Sequence, residues 1–227
     1  MLLSNSQLKK YRPFQSKTKD ELEKEVKFSL KEYVTAELDN KPKRQFAKDN
    51  PVTLTRGPNL EIPTLILEEL KQRKLKKKNF EMQREIINLI TKEEDQIIKK
   101  PLKPIPWLVE ARHRIRSIRK ETTKKTGDYC VYVIRLVYET KKGGLAMGAY
   151  VGQSKYEPDI RFKNHIKGNK YEAIEAPNQH GQEVLYSLTP HLKNMSKDES
   201  EKLEIKVRKI LEGCDGLLFL KGGKKKK

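Results

Sequence analysis

Nowhere in these 227 residues does an apolar run approach the roughly 18 needed for a bilayer-crossing helix. The opening stretch, MLLSNSQLKKYRPF, likewise holds no apolar segment long enough for a signal peptide. These absences set the expectation of a soluble, cytoplasmic protein with no membrane partner. Cysteine is almost missing: Cys130 and Cys214 alone give neither a disulfide framework nor the spacing of a zinc site. Cys130 falls within an apolar stretch and is expected to be a small buried strand residue. His180 and His191 have no partner at ligand spacing and read as surface residues. The sole tryptophan, Trp107, reads as a core anchor. Acidic residues are outnumbered, 31 Asp and Glu against 50 Lys and Arg, for a formal charge of +19. A positive field of that size raises encounter rates with polyanions and makes nucleic acid the first partner to consider.

The basic surplus is heaviest in residues 1–126, which read as a mostly helical, basic accessory region. Residues 1–17 are polar and basic and suggest a loose arm. Thr18 and Glu21 form a capping-box pattern, and Leu22, Val26, Leu30, Val34 and Leu38 recur every four residues, which predicts a helix from Lys19 to about Leu38. Five Pro and Gly residues between Asp39 and Pro63 predict loops and turns. Thr64 to about Lys99 reads as helical, either one long helix or two broken near 76–79. The run KQRKLKKK (71–78) within it is either a phosphate-contacting stripe or a solvated helix face. Its candidate contacts are Lys74, Lys76, Lys77 and Lys78. A further helix from Trp107 to about Lys120 carries Arg112 and Arg116.

From Tyr129 to Ile166 the signals are denser. Cys130–Tyr138 is rich in β-branched and aromatic residues and predicts a strand. Ala149–Val151 predicts a second, and Gly143-Gly144 between them indicates an antiparallel hairpin. Pro158 and Asp159 then suit the start of a helix, and Gly168 the position after its end. Arg161 and His165 share one face of that helix, while Phe162 and Ile166 share the neighbouring apolar face. Beyond it, Glu183 to Leu188 reads as a strand or a short helix. Ser196 and Glu199 then open a final helix from about Lys197 to Leu211, whose stripe is Leu203, Val207, Ile210 and Leu211. Leu217–Leu220 is a plausible closing strand, and residues 222–227 form a basic tail.

Val131-Tyr132 with Cys130, followed by Tyr150-Val151-Gly152 and then by Arg161-x-x-x-His165, resembles the GIY-YIG nuclease superfamily. The resemblance spans roughly residues 127–220, the size of one such domain. Cys130 stands where the family has its first Gly, and the loop between the tyrosines is long. An alternative alignment on Gly127–Tyr129 is less suitable, because Tyr132 is the tyrosine embedded in the apolar strand. The resemblance implies an α+β fold: a small antiparallel sheet flanked by helices over 127–221, behind the helical basic region.

It also implies an activity: Mg²⁺-dependent hydrolysis of DNA phosphodiesters, with Mn²⁺ as a possible substitute. The order of regions favours a restriction-type enzyme. A structure-specific repair or recombination nuclease, a homing nuclease and a non-catalytic binding protein are the alternatives. Tyr132 and Tyr150 are the implied proton-handling pair, with Tyr132 favoured as base. Arg161 would fork onto non-bridging phosphate oxygens, and His165 would orient a partner or relay a proton. The metal-binding carboxylate is expected at Glu204, at the edge of the final helix's buried stripe in an LExxVR context, whereas Glu201 falls nearer solvent. No asparagine follows Asn194, so the family's downstream Asn has no direct counterpart; Asp215 or a backbone group would have to stand in. Lys155 joins the candidate DNA contacts. One such site cuts one strand, so double-strand cleavage calls for a homodimer or two sequential events.

Overall fold

The computed structural model describes residues 12–37, 53–73, 77–94, 99–118, 120, 124–167 and 175–222. Helix α1 (Lys19–Lys31) opens with the expected capping box, Thr18 and Glu21 each satisfying the other's backbone, and buries Leu22, Val26 and Leu30. It ends seven residues short of the expected Leu38. Tyr33–Glu37 instead forms β1, antiparallel to β2 (Thr53–Pro58). Tyr-Val-Thr favours an extended backbone, and that preference prevails over the four-residue spacing that Val34 and Leu38 continue. Of the loop expected over 39–63, residues 39–52 lie outside the described residues, and its end is replaced by a strand and by the start of α2 (Glu61–Gln72), whose first turn accommodates Pro63. Helix α3 (Lys77–Lys92) follows, so the region expected from Thr64 to Lys99 is two helices. Helix α4 (Leu108–Ile115) is shorter than expected, and Trp107 just before it is fully buried.

The arm expected over 1–17 lies outside the described residues up to position 11, but from Arg12 onward it is docked. Phe14 is buried, and Arg12 donates two hydrogen bonds (2.7 and 2.6 Å) to Glu69 on α2. Arg73, inside the basic run, donates to the same Glu69 and to the carbonyls of Phe14 and Lys17. That cation therefore has a structural task rather than a phosphate to contact.

Strands β3 (Cys130–Glu139) and β4 (Leu145–Ser154) form an antiparallel hairpin in unbroken register, from Cys130↔Ser154 to Glu139↔Leu145. Helices α5 (Pro158–Lys167) and α6 (Glu175–His180) lead to β5 (Gly181–Val184), which pairs antiparallel with β3. Helix α7 (Lys197–Glu212) then returns the chain to β6 (Phe219–Gly222), which runs parallel to β4. The sheet order is β5–β3–β4–β6. It is mixed, not antiparallel as expected, because a helical crossover brings the last strand back in the same direction. The chain is thus α+β, a small mixed four-stranded sheet flanked by helices.

Residues Cys130–Val137 are buried without interruption, as suits a strand covered on both faces. Alternation divides them. Val131 and Val133, with Met147, Ala149 and Val151 of β4, join one core shared with α1–α4 and with Leu203, Val207 and Leu211 of α7. Tyr132, Ile134, Leu136 and Tyr150 face the other way, against Phe162, Ile166 and Val184. The helical half and the motif-bearing half therefore share one continuous apolar core.

A buried polar lock joins them as well. Arg135, fully buried, lies directly across from Glu183 and donates to it at 2.5 Å. The Glu183 carboxylate also accepts from the backbone N–H groups of Leu60 and Glu61. It thereby caps α2, whose own N-cap residue, Leu60, offers no side-chain acceptor. In return Glu61 accepts from the N–H groups of Tyr186 and Ser187. Burial, with repulsion from Glu183 also raising it, pushes Glu61 up to about 7 from an ordinary 4.5. The folded state then holds this proton more tightly than the unfolded chain. Its stabilising contribution is full below about pH 4.5 and is lost as pH rises through about 7. Thermal midpoints should accordingly fall from about pH 5 to about pH 7.5 in wild type and fall less in Glu61→Gln. Parallel curves for the two proteins would rule this out.

Candidate active site

Strand pairing sets Tyr132 directly opposite Gly152. A Cβ on Gly152 would lie 2.7 Å from the Tyr132 hydroxyl and 2.8 Å from the Tyr150 ring. The missing side chain is what lets the two phenols cross that strand and approach each other, their ring centroids 6.2 Å apart. Helix α5 brings the next pair. Phe162 and Ile166 anchor it in the core, and on the adjoining face His165, also fully buried, places Nε2 3.0 Å from the Tyr132 hydroxyl. Asn178 on α6 donates to the carbonyls of His165 and Ile166, holding the end of α5 in place. Gly168, expected just past that end, lies outside the described residues. Arg161 is half-buried one turn before His165, and its guanidinium hydrogen-bonds Tyr132.

Glu204 arrives from α7, on the far side of the domain in sequence. It sits half-buried beside the stripe of Ser200, Leu203 and Val207, and its charge is felt at Tyr150. Burial, and after it Glu204, pushes the Tyr150 phenol up to about 12, while Tyr132 and Arg161 pull it down. Tyr132 is raised well above the usual phenol value, again first by burial, with Arg161 opposing. Both are protonated phenols near neutrality, so either can take a proton only as it hands on its own. Tyr132 has a receiver for that proton in His165 Nε2, in the tautomer where this nitrogen is bare.

Tyr132, Tyr150, Arg161 and His165 thus form one cluster, drawn from β3, β4 and α5, and Glu204 on α7 acts on it electrostatically through Tyr150. Among the described residues no three His, Cys, Asp or Glu side chains are grouped to hold a metal by themselves. Mg²⁺ does not need such a group, because it keeps several waters and can fill its shell with substrate phosphate oxygens. Cys130 and Cys214 are free and buried, and burial raises Cys130 to about 11, so it is no nucleophile. Glu201 is exposed, as expected, while Glu199 is buried and accepts from Thr126. Asp215 is exposed in the turn after α7, its N–H on Glu110.

The expected DNA contacts fare differently. Lys74 and Lys76 lie outside the described residues, and of Lys77 and Lys78 only the backbone, in the first turn of α3, is described. Arg112 and Arg116 are half-buried on and just after α4, with one Arg116 nitrogen inaccessible to solvent. Lys155 is exposed at the end of β4, its ammonium 5.3 Å from the Tyr156 ring centroid. Residues the sequence did not single out include Asn178 and the Arg135–Glu183 pair. An arginine inside the run VYVIRLV was the available signal for that pair, since a buried cation requires a partner.

The chain matches no protein-family profile, no curated protein and no solved structure. No helix among the described residues is long and apolar enough to cross a membrane.

Proposed function

We propose that this chain is a DNA endonuclease of GIY-YIG type, restriction-like, that hydrolyses phosphodiesters with Mg²⁺. What carries the reading is the convergence of Tyr132, Tyr150, Arg161 and His165 on one patch, with the Glu204 charge acting on Tyr150. The contact between the Tyr132 hydroxyl and His165 Nε2 supports the assignment of base: water would lose its proton to Tyr132 as that phenol passes its own to His165 Nε2. The water oxygen then bonds to phosphorus and the bridging oxygen leaves. Arg161, hydrogen-bonded to Tyr132, is poised to donate to the non-bridging oxygens as their charge grows. A Mg²⁺ held through Glu204 would neutralise phosphate charge and help the leaving oxygen. The basic character of the chain supports a polyanionic substrate.

One observation favours a second reading. Both phenols are buried and protonated, a state that a protein binding DNA without cutting it would also keep. Incubation of the full chain with a mixed-sequence plasmid separates the two. Discrete fragments or nicked circles with Mg²⁺, and none when EDTA is added, are the expected result. Intact plasmid with a retained band shift would overturn the nuclease reading in favour of binding alone.

A further inference from the structure

Beside the cluster lies a cavity of about 200 Å³ that the proposed chemistry leaves unused. Tyr132 forms part of its wall, so it borders the residue at which the scissile phosphate would react. Two further tyrosines line it, Tyr156 and Tyr186, 42% and 44% exposed. Both residues are anchored through the backbone. The Tyr156 N–H donates to Ser154 Oγ at 2.9 Å, and its carbonyl accepts from the Cys130 thiol. Tyr186 is held at its backbone by Glu61 and at its hydroxyl by Asp159 on α5. The charges around the cavity balance, Lys155 and Lys193 against Asp128 and Glu157, so its lining does not favour a second phosphate. Thr189 and Asn194 add polar residues to the wall. Aromatic faces, balanced charge and a few polar edges are what holds a nucleobase that has left its stack.

We propose that this cavity receives one unstacked nucleobase adjacent to the scissile phosphate, with Tyr156 as its stacking platform. The inference rests on the nuclease reading for where the phosphate lies. Lys155, over the Tyr156 ring, would then reach the sugar–phosphate of the same nucleotide. The base can come from a duplex, at the cost of unpairing, or from a single-stranded end or bulge.

Three fluorescein-labelled duplexes decide it, bound to the full chain in EDTA and followed by anisotropy: fully paired, with one unpaired adenine, and with an abasic residue replacing that adenine. Stacking on one aromatic ring corresponds to about tenfold or more in affinity. Wild type and Tyr156→Phe should therefore bind the unpaired-adenine duplex at least about tenfold more tightly than the abasic one, and Tyr156→Ala should bind the two equally. Equal binding by wild type, or a preference that survives Tyr156→Ala, overturns the proposal. If the paired duplex binds as tightly as the bulged one, the base is drawn out of the helix; if only the bulged one gains, the source is unpaired DNA. Cleavage in Mg²⁺ is scored separately. A base preference without cutting sinks the nuclease reading and leaves the pocket, while cutting without a base preference does the reverse. A chain that neither binds nor cuts overturns both.

Discussion

Alanine at Arg161 should slow plasmid cleavage by about a hundredfold or more while leaving the thermal midpoint close to that of wild type. The guanidinium is half-buried at the edge of the tyrosine cluster, so its removal leaves no large cavity in the core. Its chemical task is larger. Arg161 lowers the proton affinity of Tyr132 directly, through a hydrogen bond and through charge, and that of Tyr150 through charge. Without it burial acts unopposed, and both phenols hold still more tightly the proton that each must hand on. Under the proposed chemistry, the developing charge on the phosphate would also lose its forked donor. Lysine restores the charge but not the fork, so Arg161→Lys should recover only part of the rate. Tyr132→Phe separates the two roles: it removes the link to His165 Nε2 but keeps the ring and the cation, and it should be as inactive as the alanine variant. Initial nicking rates, with circular dichroism to confirm folding, provide the check. A rate for Arg161→Ala within about threefold of wild type would remove this residue from the chemistry.

The parts of this site legible in the sequence are those that short-range rules reach. Strand alternation puts Tyr132 on one face of β3, helical spacing puts Arg161 beside His165, and a buried stripe leaves Glu204 at its margin. Each rule operates within about a turn of helix or a pair of strands, and each expectation matches where the backbone places these residues. Other features depend on partners distant in the chain. Tyr33–Glu37 becomes a strand because residues 53–58 are there to pair with it, and nothing within a window of a few residues reveals that partner. The parallel setting of β6 follows from the path of α7, which the closing strand's own composition does not encode. Tyr156 and Tyr186 are thirty residues apart, and only the fold sets them around one cavity. Arg135 is the instructive case. Its oddity was visible in an apolar run, yet its answer, Glu183, was 48 positions away.

That pair carries the largest stability effect expected for a single substitution. Glu183→Ala should lower the unfolding free energy by about 3–5 kcal/mol, for two reasons that act together. Arg135 is fully buried, and one of its terminal nitrogens has no hydrogen-bond partner even in the intact protein. With Glu183 gone it keeps the Pro58 carbonyl but loses its counter-charge, and an uncompensated buried cation is costly. The Leu60 N–H at the start of α2 loses its acceptor in the same step, while that of Glu61 keeps Asn59 Oδ1. Because α2 carries Ile66 and Leu70 into the shared core, the damage should spread to the helical half rather than remain at the sheet edge. The paired variant Arg135→Met with Glu183→Gln tests the mechanism. It removes both charges while keeping an oxygen that can cap α2, and it should recover most of the loss, since a buried ion pair replaced as a unit is often neutral. Removing the Glu183 charge should also let Glu61 titrate lower, weakening the fall of stability with pH. Urea midpoints for the three proteins report the energies. A loss below about 1 kcal/mol for Glu183→Ala, or a paired variant no better than the single one, would mean that the lock contributes little and the apolar core alone joins the two halves.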